Sequence, residues 1–248
     1  MPTNFNISGE IEAVGKAAHS ANWHGPLQEK KRHQWDRFTN ITLDTTNVWA
    51  VTNDGTADSI AISEVQGGSC LITTGSVDDD SNKLATAIIY SASKKAVCEW
   101  DITISDVSGT ALFGGFSDAK TEANNSIAIH YASDTLTSVA TNACGFAIDP
   151  DSATLGASSI VCVGVKANTD GTPVDSGITW ADGERKKLRV ETDGDDNAIF
   201  YVDGVLVGRV ADAVTSATLL CATVQAMTRA NDGSNTVYVH SFDAWQDA

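Results

Sequence analysis

Residues 187–210, KLRVETDGDDNAIFYVDGVLVGRV, fall into three short apolar-alternating runs separated by two turn signals. Leu188, Val190 and Thr192 point one way, while Lys187, Arg189, Glu191 and Asp193 point the other. That period of two is the signature of a half-buried strand. The polar run Asp193–Asn197 reverses the chain, and Ala198, Phe200 and Val202 restore the buried face, with Ile199 and Tyr201 opposite. Asp203-Gly204 then supplies the two positive φ angles of a type I′ turn, and Val205–Val207 runs back as a third strand.

The same pattern extends outward in both directions. Strands are predicted over residues 48–52, 60–64, 70–74, 84–90, 96–105, 110–117, 126–131, 143–148, 160–166, 217–225 and 236–245. Turn signals separate them, among them Asn53-Asp54-Gly55, Gly67-Gly68, Asp78-Asp79-Asp80, Asp170-Gly171 and Asp232-Gly233. No long amphipathic helix is legible. So many short strands predict an all-β chain folded as two packed antiparallel sheets of about six or seven strands each.

The alternating strand, acidic turn, FYVDG and closing TVYVHSFDAW resemble the concanavalin A-like, laminin-G-like jelly-roll β-sandwich superfamily, over roughly residues 36–248. Further stretches, TNVWAVTNDGTADSIAIS, ALFGGFSDAK and IVCVGVKANTDG, look like laminin-G-like proteins encoded among the head genes of tailed bacteriophages. The fold implied is a two-sheet jelly roll. The function implied is a structural one: decoration, or cementing, of a capsid exterior.

Composition narrows the options. The 248 residues suffice for one large sandwich with an appendage. Net charge is −16, which argues against binding to nucleic acid or to an anionic membrane surface. No apolar run approaches the ~20 residues of a membrane-spanning helix. The N-terminus has no basic segment followed by an apolar one, so synthesis in the cytoplasm of the producing cell is the expectation. The five cysteines, Cys70, Cys98, Cys144, Cys162 and Cys221, sit in apolar strand-like runs without metal-ligand spacing. They read as buried, reduced thiols.

Residues 1–34 lack sustained periodicity and are expected to form an N-terminal docking arm, with the sandwich domain spanning 35–248. Residues 1–40 carry +1, from five basic and four acidic side chains, leaving −17 for the remainder. Trp23, His24, Lys30, Lys31, Arg32, Trp35 and Arg37 are the candidate partner-binding residues, since isolated tryptophans among basic residues resemble interface anchors.

Catalytic chemistry is thinly represented. Glu99, Asp101 and Thr103 share one face of a predicted strand, where retaining glycosidases of this fold place Glu-x-Asp-x-Glu or Glu-x-Asp-x-x-Glu. Thr103 and Ile104 occupy the places of the second Glu, so hydrolysis lacks half its machinery and the chain is expected not to be an enzyme. His130 and His240 lie in strand patterns with no nucleophile motif beside them, and His240 alternates with Tyr238 and Phe242. Gly114-Gly115 reads as a strand irregularity. Asp78–Asp80 and Asp193–Asn197 read first as solvated turns, although relatives of this fold bind Ca²⁺ at the sandwich rim; no cofactor is expected.

The leading expectation is therefore a virion protein. It would sit on the capsid surface, dock through its arm on the major capsid protein, and assemble as a homo-oligomer, with a trimer favoured. The alternative is a lectin-like module for host-surface glycan, with Trp49, Tyr131 and Trp180 as candidate sugar platforms. A glycoside hydrolase comes last.

Overall fold

The computed structural model describes residues 31–55, 58–63, 67–122, 126–229 and 234–247. In chain order the strands are β1 (Lys31–Asp36), β2 (Ala50–Asn53), β3 (Ser59–Ser63), β4 (Ser69–Thr73), β5 (Ser81–Ala85) and β6 (Tyr90–Ser91). Then follow β7 (Val97–Ile104), β8 (Thr110–Ser117), β9 (Ile129–Ala132), β10 (Thr135–Ser138), β11 (Ala143–Ile148), β12 (Ser159–Lys166) and β13 (Thr169–Asp170). The last six are β14 (Val174–Thr179), β15 (Arg185–Thr192), β16 (Ala198–Val202), β17 (Val205–Val210), β18 (Leu219–Thr228) and β19 (Thr236–Asp247).

Two antiparallel sheets result, as expected, but larger than six or seven strands. Sheet I has nine, in the order β13-β12-β11-β8-β18-β5-β2, with β14 beside β12 and β6 beside β18. Sheet II has eight, in the order β17-β16-β15-β7-β19-β4-β3, with β1 pairing β19. Besides β1, the strands absent from the sequence reading are short (β6, β13) or polar and partly exposed (β10, β14), so they carry little alternating hydrophobicity. β1 runs across the boundary expected at residue 34: Lys31 pairs with Asp247 and Asp36 with Phe242. The body thus includes at least residues 31–34, and residues 1–30 of the expected arm lie outside the described residues.

The core fills the space between the sheets. Trp100 and Phe242 pack at 4.4 Å between ring centroids, Trp49 meets Phe242 edge-on at 5.1 Å, and Phe146 meets Phe200 edge-on at 5.2 Å. Offset and edge-on pairs of this kind add roughly 0.5–1.5 kcal/mol each beyond area burial.

The outer faces of the two sheets differ sharply. On sheet I, Phe113, Ala143, Val161, Val163 and Met227 form a second core with Ile127, Ala128, Ile129 and Ala140. The β9–β10 hairpin and its flanks therefore lie over that sheet. Arg229 ties this layer down: its guanidinium donates to both carboxylate oxygens of Asp149 (3.0 and 2.8 Å), to the Tyr131 carbonyl (2.6 Å) and to Asp79 (2.5 Å). Burial on both faces explains why β8, β11 and β12 are nearly continuous apolar runs.

Gly114-Gly115 is not an irregularity, because β8 keeps unbroken register with both β11 and β18. A Cβ on Gly115 would sit 2.3 Å from the Cys144 carbonyl oxygen, and one on Gly145 would sit 2.7 Å from the Phe113 ring. These glycines allow close approach within the second core. In sheet II, by contrast, β15 and β16 alternate strictly and β19 alternates on either side of one break, and among the described residues no third layer covers their outer side.

Candidate functional site

The outer face of sheet II gathers its polar and aromatic side chains near β7. Cys98, Trp100, Ile102 and Ile104 point into the core, so Glu99, Asp101 and Thr103 project outward, as the sequence implied. Arg189 on β15 stands opposite Glu99, and Lys187 opposite Asp101. Tyr201 on β16 stands opposite Arg189.

The other side of β7 is furnished by β19, and here a β-bulge intervenes. Val239 pairs with Ile102, but Ser241 pairs with Asp101, leaving His240 as an extra residue. One inserted residue shifts the strand's phase and re-aims every side chain beyond it. Tyr238 and His240 therefore both face outward, while Phe242 turns into the core. His240 thus shares a face with Tyr238 and not with Phe242, contrary to the alternation expected from sequence. The same shift brings Asp243 opposite Glu99 and Trp245 opposite Val97, both on the outer face. β1 continues the face, with His33 opposite Trp245 and Trp35 opposite Asp243.

These groups interlock. The Arg189 guanidinium lies 5.3 Å from the Tyr201 ring centroid and 5.5 Å from that of Trp245, bridging the two. It also donates to Glu191 at 2.8 Å. Arg185 grips Asp101 through two parallel hydrogen bonds of 2.7 and 2.8 Å. Lys187 lies 3.8 Å from Glu99, and His33 Nε2 is 2.5 Å from Asp243. His33 further neighbours the Trp245 ring at 6.4 Å. Thr103 is hydrogen-bonded to His240 at 3.0 Å, and His240 stacks parallel to Tyr238 at 6.3 Å.

Burial pushes the Glu99 carboxyl above its ordinary value; Lys187 and Arg189 pull it down, and Asp243 and Asp101 push it further up. Burial likewise lowers His240, helped by the nearby Arg185. The face can therefore offer flat ring surfaces, carboxylate acceptors and guanidinium donors to one ligand, all on rigid strands.

Several expected site residues stand elsewhere. Trp49, Trp180 and Tyr131 are only 2 %, 2 % and 4 % exposed. Packing explains each: Trp49 donates its indole N–H to Asp36 (2.9 Å), Trp180 donates to the Glu184 carbonyl (2.9 Å), and Tyr131 lies beside the Arg229–Asp149 pin. None offers a ring to a surface ligand. Of the partner-binding set, Trp35 is 54 % exposed on the outer face of sheet II, with the Arg37 guanidinium 5.7 Å from its ring. Lys31 and Arg32 belong to β1 by their backbones, and Trp23, His24 and Lys30 lie outside the described residues.

The acidic turns are largely self-satisfied. Asp193 accepts from the Asp195 N–H (2.9 Å) and the Asn197 amide (2.8 Å), while Asp196 accepts from the Ser216 N–H (2.7 Å) and from Lys166 (2.6 Å). Among the described residues no three His, Cys, Asp or Glu side chains converge as a metal site. The five cysteines are free and buried; burial pushes Cys70, Cys144, Cys162 and Cys221 up to about 12. Sequence reasoning missed Arg189, Tyr201, Asp243, Trp245 and His33 as site residues. For Asp243 and Trp245 the only local signal was alternation, and the bulge in β19 breaks its phase.

No family model matches the chain, and no curated protein matches it in sequence. Solved structures do match in fold. A Shewanella oneidensis MR-1 protein of unknown function superposes with a TM-score of 0.58 at 11 % identity, covering 96 % of each chain. The Emp47p carbohydrate recognition domain gives 0.56 at 13 %, covering 90 % of this chain and all of that one. A non-specific endo-β-1,3(4)-glucanase of glycoside hydrolase family 16 gives 0.59 at 11 %, covering 90 % and 94 %. Sheet order and these likenesses agree: the chain folds as a concanavalin A-like jelly-roll β-sandwich.

Proposed function

We propose that this protein binds carbohydrate on the outer face of sheet II. One observation carries the reading. Trp245 and Tyr201 flank the Arg189 guanidinium beside Glu99 and Asp243, on a sheet face that no third layer of the described residues covers, whereas Trp49, Trp100 and Trp180 are all buried. Sugars combine apolar C–H faces with hydroxyl groups, so they suit rings flanked by charged hydrogen-bonding groups. The fold is shared with a carbohydrate recognition domain and a glucanase, which supports the reading at the level of scaffold.

We read binding rather than hydrolysis. Asp101 is clamped by Arg185, Asp243 is held by His33, and Thr103 stands where a second Glu on the strand would be. Decoration of a capsid, with the major capsid protein as partner, rests on the sequence resemblance and on residues 1–34. Sugar binding by a particle-borne sandwich is compatible with it.

The test is a glycan array followed by calorimetry on the best ligand. Trp245→Ala should leave the fold intact and weaken binding by about 30-fold, the loss of about 2 kcal/mol typical of a central Trp anchor. Absence of any array signal, or unchanged affinity in Trp245→Ala, would overturn the proposal.

A further inference from the structure

Resting on that reading, we infer that the ligand is an uncharged oligosaccharide laid across the strands, rather than a single sugar or an acidic glycan. The extent of the face favours an oligosaccharide. Tyr201, Arg189, Trp245 and His33 form a chain of flat groups, each within 6.4 Å of the next. They sit on β16, β15, β19 and β1, with β7 between β15 and β19. Five strands at about 4.8 Å spacing make a band ~19 Å long, perpendicular to the strands. Trp35, exposed and two residues along β1 from His33, stands at the same end of the band. One monosaccharide covers a single ring of such a band; a linear oligosaccharide covers them in succession.

The charges of the face favour a neutral ligand. Three cations of the band already face carboxylates, Arg185 with Asp101, Lys187 with Glu99 and Arg189 with Glu191; the His33 ring is bonded to Asp243, and Arg37 lies over the Trp35 ring at the margin. An anionic sugar would have to displace a carboxylate to reach a guanidinium, on a chain whose net charge is −16. Hydroxyl groups face no such conflict, because they donate to the carboxylates and accept from the cations without breaking the pairs. The paired charges thus select for neutral, hydroxyl-rich ligands.

The experiment is calorimetry on the full chain with cello-, laminari- and chito-oligosaccharides from disaccharide to hexasaccharide. Oligogalacturonides and heparin oligosaccharides of matched length serve as acidic probes. Affinity for at least one neutral series should climb with length, by about 2- to 10-fold for each further ring engaged. It should be nearly insensitive to added salt. Trp245→Ala should weaken every length, whereas Trp35→Ala should weaken only the longer members, with thermal unfolding confirming that both variants are folded. Flat length dependence overturns the inference, as does tighter, salt-sensitive binding of an acidic series. If that acidic binding is still lost in Trp245→Ala, sugar binding on this face stands and only the ligand class is wrong. If no glycan of either kind binds, the proposed function falls as well.

Discussion

Two adjacent glycines in β8 should respond in opposite ways to the same substitution. In Gly114→Ala the new methyl would face the inter-sheet core, and its nearest neighbours, side-chain carbons of Leu112 and Leu188, are both 3.8 Å away. That is ordinary contact. Replacing a strand glycine also removes freedom from the unfolded chain, so this variant should be neutral or more stable by about 0.4–1 kcal/mol. In Gly115→Ala the methyl would lie 2.3 Å from the Cys144 carbonyl oxygen and 2.5 Å from the Gly145 Cα. Both are backbone atoms of β11, fixed by hydrogen bonding to β8 on one side and β12 on the other. No rotamer change relieves the clash, so the strands must separate, at about 1–3 kcal/mol or more. For a chain of this length 1 kcal/mol moves the midpoint by about 2–4 °C. The two variants should therefore differ by on the order of 10 °C in calorimetric melting, Gly115→Ala being the lower. Equal melting temperatures, or a more stable Gly115→Ala, would refute the assigned β8–β11 register. That would also reopen which sheet face is covered.

Two further expectations concern the layer beneath the covered face. Arg229→Met removes the partner of Asp149, which is 2 % exposed, and should destabilise the fold by about 3–5 kcal/mol in urea titration. A loss under about 1 kcal/mol would mean that the pin is structurally idle. Glu122 is buried, and its carboxyl is pushed above the ordinary value by desolvation, against hydrogen bonds from Ser117 and Gln225. With the folded value above the unfolded one, the native state binds more protons between them. Stability should then fall as pH rises through that window. Glu122→Gln keeps an acceptor for Ser117 and Gln225 and should flatten this part of the melting-temperature profile. Parallel profiles for wild type and variant would count against the burial assigned to Glu122.

Much of the fold was legible because alternation is a local property of the chain. β8 and β11 were bounded correctly from residue pattern alone, and Leu188, Val190, Phe200 and Val202 point inward as their spacing implied. The Asp203-Gly204 turn has φ of 51° and 81°, both positive, as a type I′ hairpin requires.

The site was less legible, because its members are neighbours only through strand pairing. Glu99 and Asp101 were visible as outward carboxylates on one strand. Nothing local to them says that Asp243 stands opposite Glu99, or that Arg189 joins Tyr201 to Trp245. Trp49 and Trp180 could by sequence be either core residues or the surface aromatics of a lectin, and the packing around them decides for the core.

The sequence by itself determined the class of fold, the half-buried character of β15, β16 and β19, and the outward direction of Glu99 and Asp101. Tertiary structure decided the rest: which sheet the described residues leave uncovered, and what meets at its centre. The physical reason is concentrated at His240. A strand's side-chain phase is set locally until an extra residue is accommodated against its partner, and whether that happens depends on β7, not on β19 alone. That single slip turns Asp243 and Trp245 from the core to the surface, and with them creates the face to which we assign sugar binding.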